Sequence, residues 1–251
     1  MLKYLEVVCL LSQELTFNEY RSVHCEMNIL NIKACAGLLF LFAAMAALLF
    51  VPAWTLDYWQ AWAFLTVFFA GALAITLYLM AKDRKLLQRR MSGGPAAEKE
   101  RAQKIIMSFA SLGFIGLLIL PALDHRLGWS RMPGFVALAG DALVALGFLA
   151  IFFVFKGNSF SSATIELAPD QKVISTGLYA VVRHPMYAGA LVMLLGMPIA
   201  LGSWWGLLAL AEMMPALIWR LFDEEKFLAR NLPAYTEYQQ KVRFRLIPHV
   251  W

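Results

Sequence analysis

Long stretches without a charged side chain are the feature that most constrains this chain. From Tyr58 to Ala81, 24 consecutive residues carry no charge. About 20 apolar residues in a helix cross the hydrocarbon core of a bilayer. Three more runs of suitable length are Ile32–Val51, with Lys33 at its edge, Ile105–Leu123, and Pro133–Phe155, which includes Asp141. We therefore predict four membrane-spanning helices within residues 32–155.

Composition supports the same class of protein. Apolar residues make up 61% of the 251 residues and charged residues 16%, against about 45–50% and about 25% in soluble domains. Such a sequence excludes a soluble enzyme, a disordered chain and a coiled coil. The chain is predicted to be an integral, multi-pass membrane protein with the lipid bilayer as its partner.

A second apolar region, Met186–Trp219, is too long for one span. It has 34 residues with Glu212 as its only charge, and it is interrupted near Pro198 and Gly202. This pattern is typical of a helical hairpin that supplies a fifth and a sixth span. The predicted fold is an all-α polytopic transmembrane bundle of five to six spans, with a cytoplasmic C-terminal segment.

The distribution of basic residues predicts the orientation. The connection 82–104 holds eight basic and three acidic residues, and cytoplasmic loops of membrane proteins are enriched in Lys and Arg. Alternation of the spans then places the polar connection 157–185 and the tail 220–251 on the same side. The net charge of +5 is explained by this topology, and no nucleic-acid partner is predicted.

The N-terminal residues 1–31 form an extension without a cleavable signal peptide. They could lie at the membrane surface or precede a second start at Met27, and the sequence leaves both alternatives open. The chain has three cysteines, Cys9, Cys25 and Cys35. They form no CxxC pair and have no histidine at ligand spacing, so neither a disulfide framework nor a metal site is predicted.

Two polar clusters should face the cytoplasmic end of the bundle. In the first, residues 177–189, Pro185 suits the opening turn of a helix and leaves Arg183 and His184 at its N-terminus, where an anion is favoured. In the second, Glu224 and Glu225 continue the hairpin beyond the membrane, where a carboxylate can meet ribose hydroxyls or a cation. The alternative is that the basic pair and the acidic run are ordinary interfacial residues.

The strings GLYAVVRHPMYAG (177–189) and EEKFLARNLPAYTEYQQKVRFRLIP (224–248), separated by the hairpin, resemble the isoprenylcysteine carboxyl methyltransferase family and related membrane phospholipid and thiol methyltransferases. The resemblance covers about residues 156–251, which are expected to form the methyltransferase core. Residues 32–155 carry no comparable signature and are expected to be four variable spans.

The resemblance implies an S-adenosylmethionine-dependent methyltransferase with a lipophilic or small acceptor. The catalytic residues would be Arg183, nearest the transferred methyl, and Glu225. The cofactor pocket would be lined by Leu178, Tyr179, His184, Tyr187, Gly189, Glu224 and Glu225. Side chains that could touch the acceptor are Asn158, Ser159 and Tyr235.

The nature of the acceptor stays open at this point. A carboxylate needs no general base because it is ionised at neutral pH, and Arg183 could hold it through two hydrogen bonds. A phospholipid amine or a thiol must lose a proton, which would make His184 or a glutamate the base. Two more distant alternatives are an NADPH-dependent sterol-type reductase and a non-enzymatic membrane protein, in which Asp141, Arg183 and Glu212 would be packing or pore residues.

Overall fold

The computed structural model describes residues 2–167 and 171–251, with side chains described for 28–167 and 171–251. Over these residues the chain is all-helical, without a β-strand, which confirms the predicted fold class. Two 3₁₀ turns, Pro95–Ala97 and Gly177–Ala180, accompany the α-helices. The helices are α1 (Leu2–Ala53), α2 (Trp59–Lys82), α3 (Arg84–Met91), α4 (Arg101–Leu127), α5 (Gly134–Gly157), α6 (Pro185–Ala200), α7 (Gly206–Asn231) and α8 (Ala234–Lys241).

The chain divides into two compact units, Met1–Phe40 and Leu41–Trp251. The first consists of the N-terminal part of α1, and the second holds all the other elements. Cys35 carries a free, exposed thiol. The N-terminal extension is part of α1, and its side chains up to residue 27, those of Cys9 and Cys25 included, lie outside the described ones.

Among the described residues, four helices are long and apolar enough to cross a membrane: the Asn28–Ala53 part of α1, and α2, α4 and α5. They coincide with the four predicted spans of residues 32–155. The predicted hairpin is present as α6 and α7, with a break at residues 201–205. Its first arm is a shorter apolar helix of 16 residues, and its second arm carries charged residues along its C-terminal half.

The connection between the second and third spans is more ordered than the sequence suggested. We predicted a loop over 82–104, but the segment contains α3 and a 3₁₀ turn. Asp83 begins α3 because its Oδ1 accepts a hydrogen bond from the Leu86 N–H at 2.9 Å, which satisfies one free donor of the first turn. This short helix carries Arg90 toward the bundle.

Helices α5 and α6 approach so closely that only glycine fits between them. A Cβ on Gly147 would lie 2.7 Å from the carbonyl oxygen of Gly189, and one on Gly196 would lie 2.7 Å from that of Gly140. Small residues at such positions allow helix backbones in membranes to touch. The two glycine contacts fix where α6 begins, which is where the first polar cluster lies.

The far end of the bundle is held by buried hydrogen bonds. Asp124 accepts hydrogen bonds from the Ser130 N–H and hydroxyl, both at 2.6 Å, and from the Ser203 hydroxyl. The Tyr58 hydroxyl donates to the Leu201 carbonyl at 2.6 Å. These contacts anchor the turn of the α6–α7 hairpin, so that both arms return to the opposite end of the bundle.

Candidate active site

A cavity of about 400 Å³ opens where α4 and α6 begin and α5 ends. One wall is apolar and is built from four helices, with Met107, Ala110, Ile151, Met193 and Leu217 on it. The other wall is polar and is formed by residues 158–166 and 171–174, the first polar cluster and the C-terminal half of α7 with α8. The cavity can therefore accommodate a polar and an apolar ligand part side by side.

The first polar cluster is fixed by the C-terminal segment. Pro185 is the first residue of α6 and His184 precedes it, as the sequence predicts. The backbone N–H of Arg183 donates to the Phe244 carbonyl at 2.9 Å, and that of His184 donates to the Arg245 carbonyl at 2.9 Å. The first cluster is thereby joined to residues 244–245 of the C-terminal segment, and both Arg183 and His184 line the cavity.

Glu225 is buried, with 6% of its surface exposed, and it lies at the centre of this contact between residues 183–184 and 244–245, which we call the junction. Its Oε1 lies 3.1 Å from Arg183 Nε and 3.2 Å from His184 Nε2, and its Oε2 lies 3.1 Å from Arg245 Nε. Burial raises the pKa of Glu225, but the hydrogen bond and charge of His184, the charge of Arg183 and the hydrogen bond from Arg245 outweigh burial. The net pKa lies below the ordinary glutamate value, so the carboxylate is ionised.

Glu224 and Arg220 form a second group on the same helix. The Tyr187 hydroxyl donates to Glu224 Oε2 at 2.6 Å, and both residues line the cavity. Arg220 is held by the Glu98 carboxylate at 2.8 Å, by Gln103 Oε1 at 2.8 Å and by the Ala163 carbonyl at 3.1 Å. These contacts connect the α2–α4 connection to α7 beside the cavity.

Tyr179 organises the polar wall. Its hydroxyl accepts a hydrogen bond from Asn158 Nδ2 at 2.8 Å and lies 3.5 Å from the Ser161 hydroxyl. Its carbonyl accepts one from the Tyr238 hydroxyl at 2.7 Å. Hydrogen bonds of Tyr179 thus link the segment after α5 to α8.

Tyr235 presents an unpaired hydroxyl. The residue is 4% exposed, lines the cavity, and its oxygen has no hydrogen-bond partner among the described residues. Burial, together with the charges of Glu225 and Glu224, raises its pKa, so the group is neutral and can donate. A buried hydroxyl without a partner costs about 1–3 kcal/mol, which a ligand acceptor atom would offset.

The structure separates the residues that the sequence singled out into two sets. Leu178 is 38% exposed and lies off the cavity, Ser159 is exposed, Gly189 packs against α5, and Glu225 lies behind Arg183 and His184. The predicted residues that line the cavity are Asn158, Tyr179, Arg183, His184, Tyr187, Glu224 and Tyr235.

Sequence reasoning missed Arg90 and Arg220, which also line the cavity, and their partner Glu98. Arg90 is one of eight basic residues in the connection 82–104, and no local pattern distinguishes it from the others. Arg220 followed the predicted sixth span directly and was interpreted as part of the tail. In the part of the chain that is described, no group of three or more His, Cys, Asp or Glu side chains could hold a metal ion.

A bundle of apolar helices with a cavity lined by both polar and apolar side chains is suited to an enzyme that acts at the bilayer, and comparison with known proteins identifies the chemistry. Residues 135–234 match the phospholipid methyltransferase family. Probable protein-S-isoprenylcysteine O-methyltransferases of Oryza sativa subsp. indica and subsp. japonica are each 30% identical over 148 residues, covering 55% of this chain and 72% of the relative.

The chain therefore belongs to the family of membrane methyltransferases that includes the isoprenylcysteine O-methyltransferases. It is an integral membrane protein and a methyltransferase. The reductase and the non-enzymatic alternatives are set aside by this membership.

Proposed function

We propose that this protein transfers a methyl group from S-adenosylmethionine to a lipophilic carboxylate, as an O-methyltransferase of the isoprenylcysteine type. The observation that carries the proposal is the cavity of about 400 Å³ with one charged and hydroxyl-rich wall and one apolar wall. Ligand sites commonly have volumes of about 300–1,000 Å³. A polar donor and an apolar acceptor can meet in such a space.

The residues of the polar wall fit the proposed donor. S-adenosylmethionine, when bound, supplies an electrophilic methyl group on a positively charged sulfur. Glu224 uses one carboxylate oxygen for Tyr187, so the other is available to ribose hydroxyls or to an ammonium group. The unpaired Tyr235 hydroxyl offers a donor to a carboxylate or a ring nitrogen. Tyr179, already fixed by Asn158, lies on the same wall.

Arg183 is suited to hold the acceptor carboxylate. It is 8% exposed and lines the cavity. Its Nε lies at ion-pair distance from Glu225, but the N–H does not point at that oxygen. The Nη groups make no hydrogen bond within the described residues, which leaves their N–H donors free for a carboxylate. Alignment of that carboxylate with the methyl group is then the main contribution of the protein.

The acceptor decides whether a base is needed. Nε2 of His184 lies 3.2 Å from Glu225 Oε1, so Nδ1 is the ring nitrogen left to take a proton from an amine or a thiol. A carboxylate acceptor requires no such base. Phospholipid N-methylation is the second candidate, because residues 135–234 match the phospholipid methyltransferase family.

A cytoplasmic active site is part of the proposal. The cavity lies at the end of the bundle that carries the connection 82–104, with its eight basic residues. The connections at the other end, residues 54–58 and 128–133, contain a single basic residue, Arg131. The positive-inside rule therefore supports a cytoplasmic location of the cavity. The polar donor would enter from the cytoplasm and the acceptor from the bilayer.

The test is transfer of a radiolabelled methyl group from S-adenosylmethionine in liposomes. N-acetyl-S-farnesylcysteine, phosphatidylethanolamine and a small alkyl thiol are compared as acceptors, and the farnesylated carboxylate is expected to accept the label fastest. Labelling of phosphatidylethanolamine instead would favour the second candidate. Incorporation into none of the three, with no calorimetric binding of S-adenosylhomocysteine, would refute the enzyme proposal.

A matched pair of variants tests the role of Arg183. Arg183→Ala should lower kcat/KM by about 100-fold because the carboxylate is no longer aligned, while binding of S-adenosylhomocysteine is retained. Arg243→Ala removes an exposed arginine of the C-terminal segment and should leave the rate unchanged. Equal activity of both variants would contradict the carboxylate-holding role.

A further inference from the structure

Arg90 reaches the cavity from α3, outside the region that matches the methyltransferase family. Its Nη1 donates to the Ser162 carbonyl at 2.9 Å and lies 3.9 Å from Met186 Sδ. The guanidinium carbon is 5.1 Å from the centre of the Phe155 ring. The side chain is thus held at the edge where the polar wall meets the apolar wall.

Arg90 differs from the other cavity arginines in its charge balance. Arg183 pairs with Glu225 and Arg220 pairs with Glu98. For Arg90, no carboxylate of the described residues comes within ion-pair distance. Arg90 is half-buried, and a charge withdrawn from water without a counter-ion is costly. Burial together with the charge of Arg220 lowers the pKa of Arg90.

The neighbouring carbonyls hold Arg90 and Arg220 beside each other. Ser162 binds Arg90 and the next residue, Ala163, binds Arg220. The Nη groups of Arg220 contact Glu98, Gln103 and Ala163, whereas the Nε and Nη2 groups of Arg90 make no hydrogen bond to any described residue. Two adjacent guanidinium groups, one of them with free donors, form a site for an anion with two oxygens.

We propose that Arg90 binds the acid group, a carboxylate or a phosphate, of a ligand in this cavity and so determines ligand specificity. This inference rests on the proposed function, because it assumes that the cavity holds the methyl donor and acceptor. The acid group has two sources: the acceptor, or the amino-acid carboxylate of the donor. Both have the same chemistry toward a guanidinium, and experiment can separate them.

The test compares acid and neutral forms of each ligand in Arg90→Gln, Arg90→Lys and the control Arg89→Gln. Arg89 lies on the same helix but does not line the cavity. For the acceptor, inhibition by N-acetyl-S-farnesylcysteine is compared with inhibition by its carboxamide, and farnesyl phosphate with farnesol. For the donor, calorimetric binding of S-adenosylhomocysteine is compared with that of 5′-methylthioadenosine, which lacks the amino-acid carboxylate.

In at least one of these pairs, Arg90→Gln should reduce the ratio of acid-form to neutral-form affinity by about 10- to 100-fold. This is the size expected for a hydrogen-bonded charge pair. Arg90→Lys should retain part of the preference, and Arg89→Gln should behave as the wild type. The pair that responds identifies the source. Because each ratio is taken within one variant, partial unfolding lowers both affinities and leaves the ratio unchanged.

Unchanged ratios for every pair in Arg90→Gln, with an active wild type, would overturn the inference and leave the proposed function intact. A wild type that binds no probe and transfers no methyl group would refute the proposed function, and the inference with it.

Discussion

Replacing Glu225 by glutamine tests whether one buried carboxylate holds the two halves of the site together. Glutamine keeps the size of the side chain and one acceptor oxygen but removes the charge that faces Arg183, His184 and Arg245 at 3.1–3.2 Å. The side chains of Glu225 and Arg183 are 8% and 7% exposed, so water solvates the Arg183 charge poorly once the carboxylate charge is removed. The change leaves a buried arginine without its counter-ion.

The expected cost follows from this burial. Breaking a buried ion pair by removing one partner costs about 3–5 kcal/mol. The Arg245 side chain is 30% exposed, so its contact adds little, and the retained amide oxygen favours the lower limit, about 3 kcal/mol. In a domain of this length each kcal/mol corresponds to about 2–4 °C, so the unfolding midpoint should fall by roughly 6–12 °C.

The assay is thermal unfolding in detergent, followed by tryptophan fluorescence. Glu237→Gln is the matched control, because Glu237 is exposed on α8 and its replacement should change stability by no more than about 0.5 kcal/mol. A double-mutant cycle with Arg183→Gln should give a coupling energy of about 0.5–3 kcal/mol. Equal midpoints for Glu225→Gln and Glu237→Gln would refute the role of Glu225 as the centre of the junction.

Further expected outcomes concern pH, the unpaired hydroxyl and the glycine contacts. The folded pKa of Glu225 lies below the ordinary value of 4.5, so its stabilisation of the fold is complete above that value and is lost as pH falls through the folded pKa. The difference in unfolding midpoint between wild type and Glu225→Gln should therefore shrink below pH 4.5. A difference that stays constant down to acid unfolding would contradict this. Tyr235→Phe should leave the stability of the ligand-free protein unchanged or raised, and should weaken binding of S-adenosylhomocysteine by about 2- to 10-fold. Tyr238→Phe should lower stability instead, because it removes the hydrogen bond to the Tyr179 carbonyl. Calorimetry measures the binding and thermal unfolding measures the stability of both variants. Gly147→Ala should lower the free energy of unfolding by about 1–3 kcal/mol, because the added Cβ would lie 2.5 Å from Met193 Cβ. A Cβ on Gly157 would meet no atom within 4 Å, so Gly157→Ala should be neutral in the same unfolding assay.

The spans were predictable because hydropathy depends on local sequence. A run such as Tyr58–Ala81, with no charge over 24 residues, has few alternatives to a membrane helix, and α2 matches it within one residue at each end. Pro198 and Gly202 likewise indicated the break in the hairpin. The ordered α3 was missed because a single capping aspartate, Asp83, is a weak signal within a charged connection.

The site was only partly predictable, because a sequence shows which residues are polar and not which way they point. Tyr179, Arg183 and Tyr235 were singled out and do line the cavity. Leu178 belongs to the same motif but is exposed, because the 3₁₀ turn directs it away from the cavity side. Arg220 is separated from its partner Glu98 by 122 residues, and no periodicity relates positions so far apart.

The origin of the cavity residues suggests how this fold separates chemistry from recognition. Arg183, Glu224 and Glu225 lie within the matched region 135–234, where the proposed methyl transfer is aligned. Arg90 comes from the connection before it and is held by the carbonyl of Ser162 and by Met186 Sδ, neither of which belongs to the junction at Glu225. A change in α3 can therefore alter which acid group is bound without disturbing the junction at Glu225. If the Arg90 test succeeds for the acceptor pairs, acceptor specificity among such enzymes should be sought in the α2–α4 connection, which lies outside the matched region 135–234.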